Sequence, residues 1–335
     1  MTPKRRFTPR TNLGPKRNSD TSPARKPASA PFRGTQVTTP ASSVRKGASA
    51  PYRKPTTVTA TPFVVIKKKS VKPKPPRVVK ISYEKKDPTE SWNSVSSWYE
   101  KHLESENTYH EKVILPNLIR LVTPKRNENI VDLACGTGYF TSAFAKEGAV
   151  MTGIDVSEDL IAIARKNSPQ ISYHVGSAED AIIVSDGSKD RVTIVLAIQN
   201  IEHTQKVLSE VHRILKIGGT LHIVMNHPAF RIPKRSFWGY DDKRQVQYRR
   251  TDEYLSESKS AIEMNPGKIN SAETISYHRP LQYYFKALAK AGFLVERLEE
   301  WTSHKDSDSG PRAKAENHAR KEIPLFLYLG AKKLS

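Results

Sequence analysis

From about residue 87 onward, short β-branched runs alternate with stretches whose apolar residues recur at helical spacing. The run 129–133 (NIVDL) predicts a buried strand, followed by a glycine turn and a helix through Lys146. The same pattern predicts six further strands, at 149–154, 171–175, 191–198, 220–225, 294–298 and 323–331. Strands that alternate with helices form right-handed crossovers. The pattern therefore predicts an α/β fold: a doubly wound, mostly parallel seven-stranded sheet with helices on both faces.

The helical segments differ in how clearly they end. Residues 91–122 predict one or two helices that stop at Pro124. A later helix carries Val207, Val211 and Ile214 on one face and is expected to reach the glycine pair 218–219, and another is predicted at 280–291. Residues 227–277 have no clear periodicity, although aromatic side chains alternate there with Arg and Lys. Because this insertion follows a strand's carboxyl end, we expect it to form a substrate lid.

The charge of the chain is concentrated in one region. The 335 residues include 55 Lys or Arg and 34 Asp or Glu, a net charge of +21. Residues 1–86 contain 22 of the basic side chains and two acidic ones, so they carry +20 and residues 87–335 carry +1. The chain is therefore predicted to be a basic tail, 1–86, joined to a nearly neutral domain, 87–335.

The basic tail has the composition of a disordered segment. Thirteen of the 23 prolines fall within it, among Ser, Thr, Lys and Arg. The stretch 25–33 (RKPASAPFR) returns as 45–53 (RKGASAPYR), and each copy places one aromatic residue between a proline and an arginine. Cations with a free aromatic ring suit RNA or another polyanion, and a solubilising extension without a defined partner is the alternative.

Composition also narrows the class of protein. A single cysteine, Cys135, excludes an intramolecular disulfide, which argues against a stapled secreted domain. No apolar run approaches the roughly 20 residues of a membrane span. The sequence therefore favours a cytoplasmic protein, with organelle targeting through the basic tail as a minority alternative.

The turn after the first predicted strand has the chemistry of a nucleotide site. Small residues and two glycines, Gly136 and Gly138, let a ligand approach the backbone, and the next helix start offers unpaired N–H groups. The second strand ends at Asp155, whose carboxylate suits the two hydroxyls of a ribose. A dinucleotide fingerprint would need a third glycine at Thr141.

The run VDLACGTG (131–138) followed by Asp155 resembles the first motifs of class I (Rossmann-like) S-adenosylmethionine-dependent methyltransferases. The segments 176–180 (GSAED), 186–188 (DGS) and 215–219 (LKIGG) follow in an order similar to the type-11, small-molecule branch of that family. The resemblance covers about residues 129–225. It implies S-adenosylmethionine as cofactor and S-adenosylhomocysteine as product.

The resemblance also implies roles for individual residues. Asp132, Ala134, Gly136 and Gly138 would face the methionine part of the cofactor. Asp155 would hold the ribose, and Val156 would flank the adenine. The remaining positions are Ala178 and Glu179 along the adenine edge and Ile198 near the sulfonium. Ser177 departs from the family, which often has an acidic residue there, so a hydroxyl or a backbone oxygen would meet the adenine amino group.

Transfer to a hydroxyl or carbon acid requires removal of a proton, and three histidines, His203, His227 and His278, fall near the carboxyl ends of strands or in the presumed lid. His203 and His227 are the candidates for the catalytic base. His203 follows the fourth predicted strand and His227 follows the fifth. The segment 199–203 (QNIEH) resembles a metal-binding Glu-x-x-Glu-His segment of quinone-pathway O-methyltransferases. Gln199 stands where that segment has its first carboxylate, so we expect no metal. For His203, a plain helix-start role is the alternative.

Three functions are consistent with these patterns. The first is a methyltransferase that acts on an O, N or C centre of a small-molecule acceptor. The second is an RNA- or ribosome-directed methyltransferase that uses the basic tail as a polyanion anchor. The third is a non-catalytic polyanion-binding protein on a methyltransferase scaffold. The intact set Asp132, Gly136, Gly138 and Asp155 favours an enzyme.

Overall fold

The computed structural model describes residues 92, 93, 96, 106–264, 271 and 273–335. The predicted basic tail, residues 1–86, lies outside the described residues. So does most of the first half of the helical segment predicted at 91–122.

Residues 106–264 and 273–335 contain six α-helices and eleven strands. The helices are α1 (Leu115–Val122), α2 (Tyr139–Lys146), α3 (Glu158–Asn167), α4 (Thr204–Ile214), α5 (Leu281–Lys290) and α6 (Ala313–Glu322). The strands are β1 (Asn129–Leu133), β2 (Val150–Asp155), β3 (Ser172–Val175), β4 (Lys189–Val195), β5 (Leu215–Asn226), β6 (Ser236–Asp241), β7 (Val246–Thr251), β8 (Ser258–Glu263), β9 (Glu273–His278), β10 (Phe293–Trp301) and β11 (Phe326–Lys333). A π-helical turn, His110–Ile114, leads into α1.

Seven strands form one sheet in the order β3-β2-β1-β4-β5-β11-β10. The first five run parallel, and β11 is antiparallel to both of its neighbours. This arrangement confirms the predicted α/β fold with a mostly parallel, seven-stranded sheet. The strand order changes direction between β1 and β4, and open sheets of this kind bind ligands outside the carboxyl ends of the strands at that point.

The sheet separates two hydrophobic cores, as the alternation of side chains along a strand requires. On β11, Leu327 and Leu329 enter the core under α4 and α5, whereas Phe326 and Tyr328 enter the core under α1 and α2. Each of these four side chains is buried. Helices therefore cover both faces of the sheet, and its carboxyl edge is the surface on which a site can be built.

Helix α4 has the predicted buried face but ends earlier than predicted. Val207, Val211 and Ile214 are fully buried. The expected end at the glycine pair 218–219 was wrong, because β5 already begins at Leu215. Leu215 pairs with Lys189 of β4, and the backbone N–H groups of residues 187 and 188 donate to the last two carbonyl groups of the helix.

The insertion at 227–277 contains two β-hairpins that the sequence pattern did not predict. Strands β6 and β7 form one antiparallel hairpin, and β8 and β9 form another. In the first hairpin the Arg249 guanidinium lies 5.1 Å from the ring centroid of Trp238, its cross-strand partner. The aromatic and basic residues of the insertion thus serve partly as cross-strand pairs, which explains the lack of a simple apolar alternation.

Candidate active site

The turn between β1 and α2 bends through the left-handed region three times. The φ angles are 56° at Ala134, 56° at Gly136 and 76° at Gly138. A side chain at Gly138 would collide with the sheet, since its Cβ would lie 2.3 Å from the hydroxyl oxygen of Tyr173. Gly138 is also the N-cap of α2 and has no side chain to accept a bond there. The first backbone N–H groups of α2 therefore remain available to a ligand.

A cavity of about 330 Å³ opens beside this turn, and we call it the glycine-turn cavity. It lies between β1 and β4, where the strand order changes direction. Small, polar and aromatic groups share its wall, which is formed by Asp132, Ala134, Cys135, Gly136, Thr137, Tyr139, Phe140 and Val195. Such a mixture suits a ligand with a charged end and an apolar body.

Asp132 lies at the base of the glycine-turn cavity and is 2% exposed. The hydroxyl of Thr141 donates to its Oδ2 at 2.6 Å, and that of Thr193 donates to its Oδ1 at 2.8 Å. Burial raises the pKa of Asp132 to about 6, and the two hydroxyl donors oppose that shift. Near neutral pH the group is therefore a buried carboxylate whose charge is held by two hydroxyls.

Asp155 ends β2 and is tied to the same turn. Its Oδ2 accepts from the Gly136 backbone N–H at 2.8 Å, and its Oδ1 accepts from the Ser157 N–H at 3.0 Å. Burial raises the pKa of Asp155, and these backbone donors oppose the shift. A carboxylate offers about four acceptor positions, so Asp155 keeps acceptor capacity for a hydroxyl of a ligand.

A second cavity, of about 290 Å³, lies where β4 and β5 lead into the hairpin insertion, and we call it the hairpin cavity. Its wall comes from four separate parts of the chain: Gln199 after β4, Asn226 with Pro228, Arg231 and Pro233 after β5, Ser276, Tyr277, His278 and Arg279 at the end of β9, and Tyr284 of α5. Polar and aromatic side chains dominate it, so it offers a ligand both hydrogen-bonding groups and ring surfaces.

His278 is held in one tautomer at the hairpin cavity. Its ring Nε2 lies 2.8 Å from the backbone carbonyl oxygen of Tyr254, an acceptor only, so Nε2 carries the proton. Burial lowers the pKa of His278. At neutral pH the ring is therefore uncharged, and Nδ1 is its basic nitrogen.

Known proteins share this combination of sheet and turn. Residues 131–223 match the family model described as a methyltransferase domain. The chain is 35% identical over 119 residues to a demethylmenaquinone methyltransferase of Chlorobaculum parvum, a match that covers 35% of this chain and 49% of that protein. A S-adenosylmethionine dependent methyltransferase of Mesorhizobium loti has a similar structure, with a TM-score of 0.54 and 25% identity. That match covers 67% of this chain and 100% of the other.

The chain carries a class I S-adenosylmethionine-dependent methyltransferase domain. This confirms the resemblance inferred from the motifs. A ubiquinone/menaquinone biosynthesis C-methyltransferase of Zymomonas mobilis is 34% identical over 108 residues, which are 31% of this chain and 44% of that protein. The chain thus matches about half the length of the two curated relatives named here.

The methyltransferase domain has the features that the family's cofactor, S-adenosylmethionine, requires. A residue larger than glycine at 138 would collide with the Tyr173 ring, so the turn can keep its present path beside the cavity only with glycine there. The buried Asp132 carboxylate in the cavity wall suits a charged amino group, and Asp155 has acceptor positions left for a ribose. The residues present therefore fit this cofactor.

The predicted adenine-edge residues lie after β2 and β3. Val156 is half-buried beside Asp155, and Ala178 is buried in the core. Glu179 is half-buried, and its carboxylate lies 3.9 Å from the Lys206 ammonium. The hydroxyl of Ser177 accepts from the Glu179 backbone N–H at 3.1 Å, so it can still donate one hydrogen bond to a ligand. The roles of these residues remain predictions.

Ile198 is not where the sequence suggested. The fourth strand was predicted to run to Ile198, but β4 ends at Val195 and the chain turns at Leu196, whose φ is 54°. Ile198 begins a 3₁₀ turn and is fully buried in the core. Val195, rather than Ile198, lines the glycine-turn cavity.

His203 precedes α4 as its N-cap residue and is exposed, without a side-chain capping bond. It lines neither of the two cavities described above. His203 therefore has the position of the helix-start residue that the sequence offered as the alternative.

His227 is buried between two partners. Its Nδ1 accepts from the Ala229 backbone N–H at 3.2 Å, so Nε2 carries the proton and donates to Glu300 at 2.7 Å. Burial lowers its pKa, and the Glu300 carboxylate opposes that shift. Its neighbours Asn226 and Pro228 line the hairpin cavity, whereas His227 itself does not. Both ring nitrogens are thus committed to the fold, which leaves no basic nitrogen for substrate.

Several residues of the site carry no signal in the sequence. Thr141 and Thr193 hold Asp132 from α2 and β4, and no motif marks either residue. Arg279 likewise reaches the hairpin cavity only through the packing of the insertion against the sheet. Thr141 lies three residues after Gly138, about one turn into the helix, and this spacing could have indicated that its hydroxyl reaches back to the strand end at Asp132.

The part of the chain that the structure describes holds no group of three or more His, Cys, Asp or Glu side chains arranged to bind a metal. Nor does any of its helices combine the length and the apolar character that crossing a membrane requires.

Proposed function

We propose that this chain is a S-adenosylmethionine-dependent methyltransferase that acts on a small-molecule acceptor. The observation that carries the proposal is the pairing of two cavities on one sheet. The glycine-turn cavity includes Val195, the last residue of β4, and the hairpin cavity includes Gln199, four residues later. A cofactor in the first cavity and an acceptor in the second would meet beside the end of β4, as an in-line transfer requires.

The cofactor supplies an electrophilic methyl group on a sulfonium. In this proposal Asp132 receives the amino group of the methionine part, the turn at Gly136 and Gly138 follows its backbone, and Asp155 accepts the ribose hydroxyls. These residues are held before any ligand arrives, because hydroxyl and backbone donors already fix both carboxylates. Such preorganisation lowers the entropic cost of binding.

For the acceptor we propose His278 as the general base. It lines the hairpin cavity, and its Nε2–H donates to a backbone carbonyl, which leaves Nδ1 as the proton acceptor. Because its pKa is lowered by burial, the ring is neutral and competent at physiological pH. The proposal predicts a rate that is constant at neutral pH and falls as the pH drops through that lowered pKa.

The character of the hairpin cavity supports a planar acceptor. The rings of Tyr277 and Tyr284 form part of its wall. The two curated relatives are named for methylation of quinone precursors, which are planar as well. The O, N or C centre that receives the methyl group in this protein is left open.

The decisive experiment supplies labelled S-adenosylmethionine to the full chain with separate metabolite, RNA and protein fractions of the source cell. We expect label in the metabolite fraction and inhibition by S-adenosylhomocysteine. Label confined to RNA would replace the small-molecule acceptor by the RNA-directed alternative. Calorimetry with S-adenosylhomocysteine tests the cofactor separately, and no heat of binding would refute the methyltransferase proposal itself.

A further inference from the structure

We propose that the hairpin cavity recognises a negatively charged oxyanion, a carboxylate or a phosphate, on the methyl acceptor. The inference rests on the proposed function and narrows its substrate class from small molecules in general to acidic ones. It depends on two arginines in the cavity wall, Arg279 and Arg231, and on the hydrogen-bonding groups around them.

Arg279 is a buried cation that has hydrogen-bond donors still available to a ligand. It is 5% exposed, and its Nη2 donates to the backbone carbonyls of Ile201 at 3.0 Å and Glu202 at 2.6 Å. Its guanidinium lies 4.9 Å from the ring centroid of Tyr277 and 5.2 Å from that of Tyr283, so it is held in place by both rings. Its Nη1 is buried and makes no hydrogen bond of normal geometry among the described residues, although the Tyr284 hydroxyl lies near enough to interact with the guanidinium.

An unpaired donor on a buried charge is costly to a folded protein, because that donor has lost its water. The cost is recovered when a ligand supplies an acceptor. A planar guanidinium binds a carboxylate or phosphate oxygen with more energy than it binds a neutral acceptor. The state of Arg279 therefore indicates a ligand that brings negatively charged oxygen.

Arg231 adds a second positive charge to the same wall. Its side chain is accessible to solvent, yet surrounding protein atoms desolvate it and lower its pKa. This combination is expected of a cation inside a concave site. Arg249 lies close enough that the charge of Arg231, together with burial, lowers the pKa of Arg249. Arg231 and Arg279 therefore place two positive charges in the wall of the hairpin cavity.

Protein carboxylates do not neutralise these charges directly. The ten residues that line the hairpin cavity include no Asp or Glu. Within the described residues, neither Arg231 nor Arg279 takes part in any of the salt bridges. Glu257 acts on Tyr284 and His278 from outside the wall. An anionic ligand would supply the missing charge.

Neutral hydrogen-bonding groups complete the site. The Oε1 of Gln199 is buried without a partner among the described residues, while its Nε2 donates to the Leu196 carbonyl at 2.6 Å. An acceptor molecule with both an acid group and a hydroxyl would satisfy Arg279 and Gln199 together. A neutral quinone precursor, the acceptor type for which the two curated relatives are named, would leave the arginine charges uncompensated.

The test is calorimetry on the full chain, with and without S-adenosylhomocysteine. The probes are benzoate and phenyl phosphate, with benzamide as the neutral molecule of similar shape. We expect at least one anion to bind about 10-fold more tightly than benzamide, because hydrogen bonds to a charged acceptor are stronger than those to a neutral one. Equal binding of the anions and benzamide would overturn the proposal.

Three variants locate the binding. Arg231→Gln and Arg279→Gln should each weaken the preferred anion about 10-fold and leave benzamide unchanged. Arg244→Gln is the matched control, because Arg244 is an exposed arginine of the same insertion whose side chain lies in the β6–β7 turn. Undiminished anion binding by both cavity variants would refute the site.

Two safeguards separate the failures. Arg279 also donates to two backbone carbonyls, so Arg279→Gln could fail to fold. Arg279→Lys keeps the positive charge at this position. The Arg231→Gln variant removes a charge from a solvent-accessible side chain, so it tests the charge without depending on a folded Arg279→Gln protein. Absence of S-adenosylhomocysteine binding would refute the methyltransferase proposal alone. The anion titration without that molecule still decides whether the hairpin cavity prefers an acid.

Discussion

The two cavities of this protein are built in opposite ways. Seven of the eight residues around the glycine-turn cavity come from the nine consecutive positions 132–140, and Val195 is the eighth. The ten residues around the hairpin cavity come from four segments spread between Gln199 and Tyr284. The first site is encoded locally and the second is assembled by folding, so a motif reveals the first and conceals the second.

They also differ in how their charges are satisfied. In the glycine-turn cavity, protein donors already bind both oxygens of Asp132, and Asp155 next to the turn is held in the same way. In the hairpin cavity, Arg279 and Gln199 each keep a buried polar atom that makes no hydrogen bond of normal geometry among the described residues. The charged groups of the first site are therefore hydrogen-bonded before a ligand binds, whereas two polar atoms of the second site would gain such a bond only from a ligand.

The largest effect is expected at the base. His278→Gln removes the proton acceptor that we assign to the hairpin cavity, so kcat on the acceptor found by labelling should fall about 100-fold. The affinity for S-adenosylhomocysteine should stay the same. His203→Gln is the control, because His203 is exposed and lines neither of the two cavities. A kcat within twofold of the native value for His278→Gln would rule out its role as base.

A methyl group at the glycine turn should weaken binding in the glycine-turn cavity and leave binding in the hairpin cavity unchanged. Gly138→Ala places a Cβ 2.3 Å from the Tyr173 hydroxyl oxygen, and such overpacking costs about 2 kcal/mol. The turn or the Tyr173 ring must shift to relieve this collision, and a shift of the turn moves the N–H groups assigned to the cofactor. We therefore expect the affinity for S-adenosylhomocysteine to drop about 10-fold in calorimetry. Binding of the preferred anion in the hairpin cavity should persist.

Gly187→Ala is matched to that variant. Its φ is also positive, at 55°, but a Cβ there would meet nothing within 4 Å. Both substitutions carry the strain of a left-handed alanine, roughly 1 kcal/mol, and only Gly138→Ala adds a collision. If the two variants bind S-adenosylhomocysteine equally well, the close approach at Gly138 has no part in the site.

The buried charge of Asp132 should lower the free energy of unfolding at neutral pH, while it favours binding of the cofactor. Its pKa is about 6 in the folded protein and 3.8 ordinarily, so the folded state binds more protons between those values. The contribution to stability is complete below pH 3.8 and is lost as the pH rises through 6. The gain in unfolding free energy from Asp132→Asn should therefore be roughly 2 kcal/mol larger at pH 7 than at pH 4.

Urea unfolding of the full chain at both pH values measures that difference, with native protein at the same pH as reference. The amide keeps the shape of Asp132 and removes its charge, so S-adenosylhomocysteine should bind more weakly. A difference that does not change with pH would mean that Asp132 titrates normally in the folded protein.

The smallest effect concerns the basic tail. Deletion of residues 1–86 removes +20 of the charge and leaves a nearly neutral chain. Because the described lining of both cavities comes from residues 132–284, we expect turnover of the small-molecule acceptor to stay within twofold. A large loss that high salt reproduces with the native chain would favour the RNA-directed alternative.

The sequence predicted what depends on short-range pattern. Asp132, Gly136 and Asp155 come together as expected because parallel strands end at one edge of the sheet. The buried face of α4 followed from helical periodicity alone. The prediction that the fourth strand runs to Ile198 was wrong, because nothing in the segment RVTIVLAI indicates that Leu196 adopts a positive φ and that the strand ends before it.

The hairpin insertion escaped prediction for a physical reason. Its strands are half-exposed, and pairs such as Trp238 with Arg249 are held by cation–aromatic contacts rather than by apolar alternation. The role of Arg279 depends on backbone carbonyls at Ile201 and Glu202, 78 and 77 residues away. No local pattern encodes contacts of that separation.

The position of β11 has a consequence for the order of folding. This last strand, Phe326–Lys333, lies between β5 and β10, and Lys333 donates to the carbonyls of His212 and Leu215 at the end of α4. During synthesis β10 leaves the ribosome before the strand that joins it to the sheet. The edge of β5 thus stays open until residues 326–333 have been synthesised, and we expect closure of the sheet to be slower than pairing between neighbouring segments, because non-local contacts form more slowly than local ones.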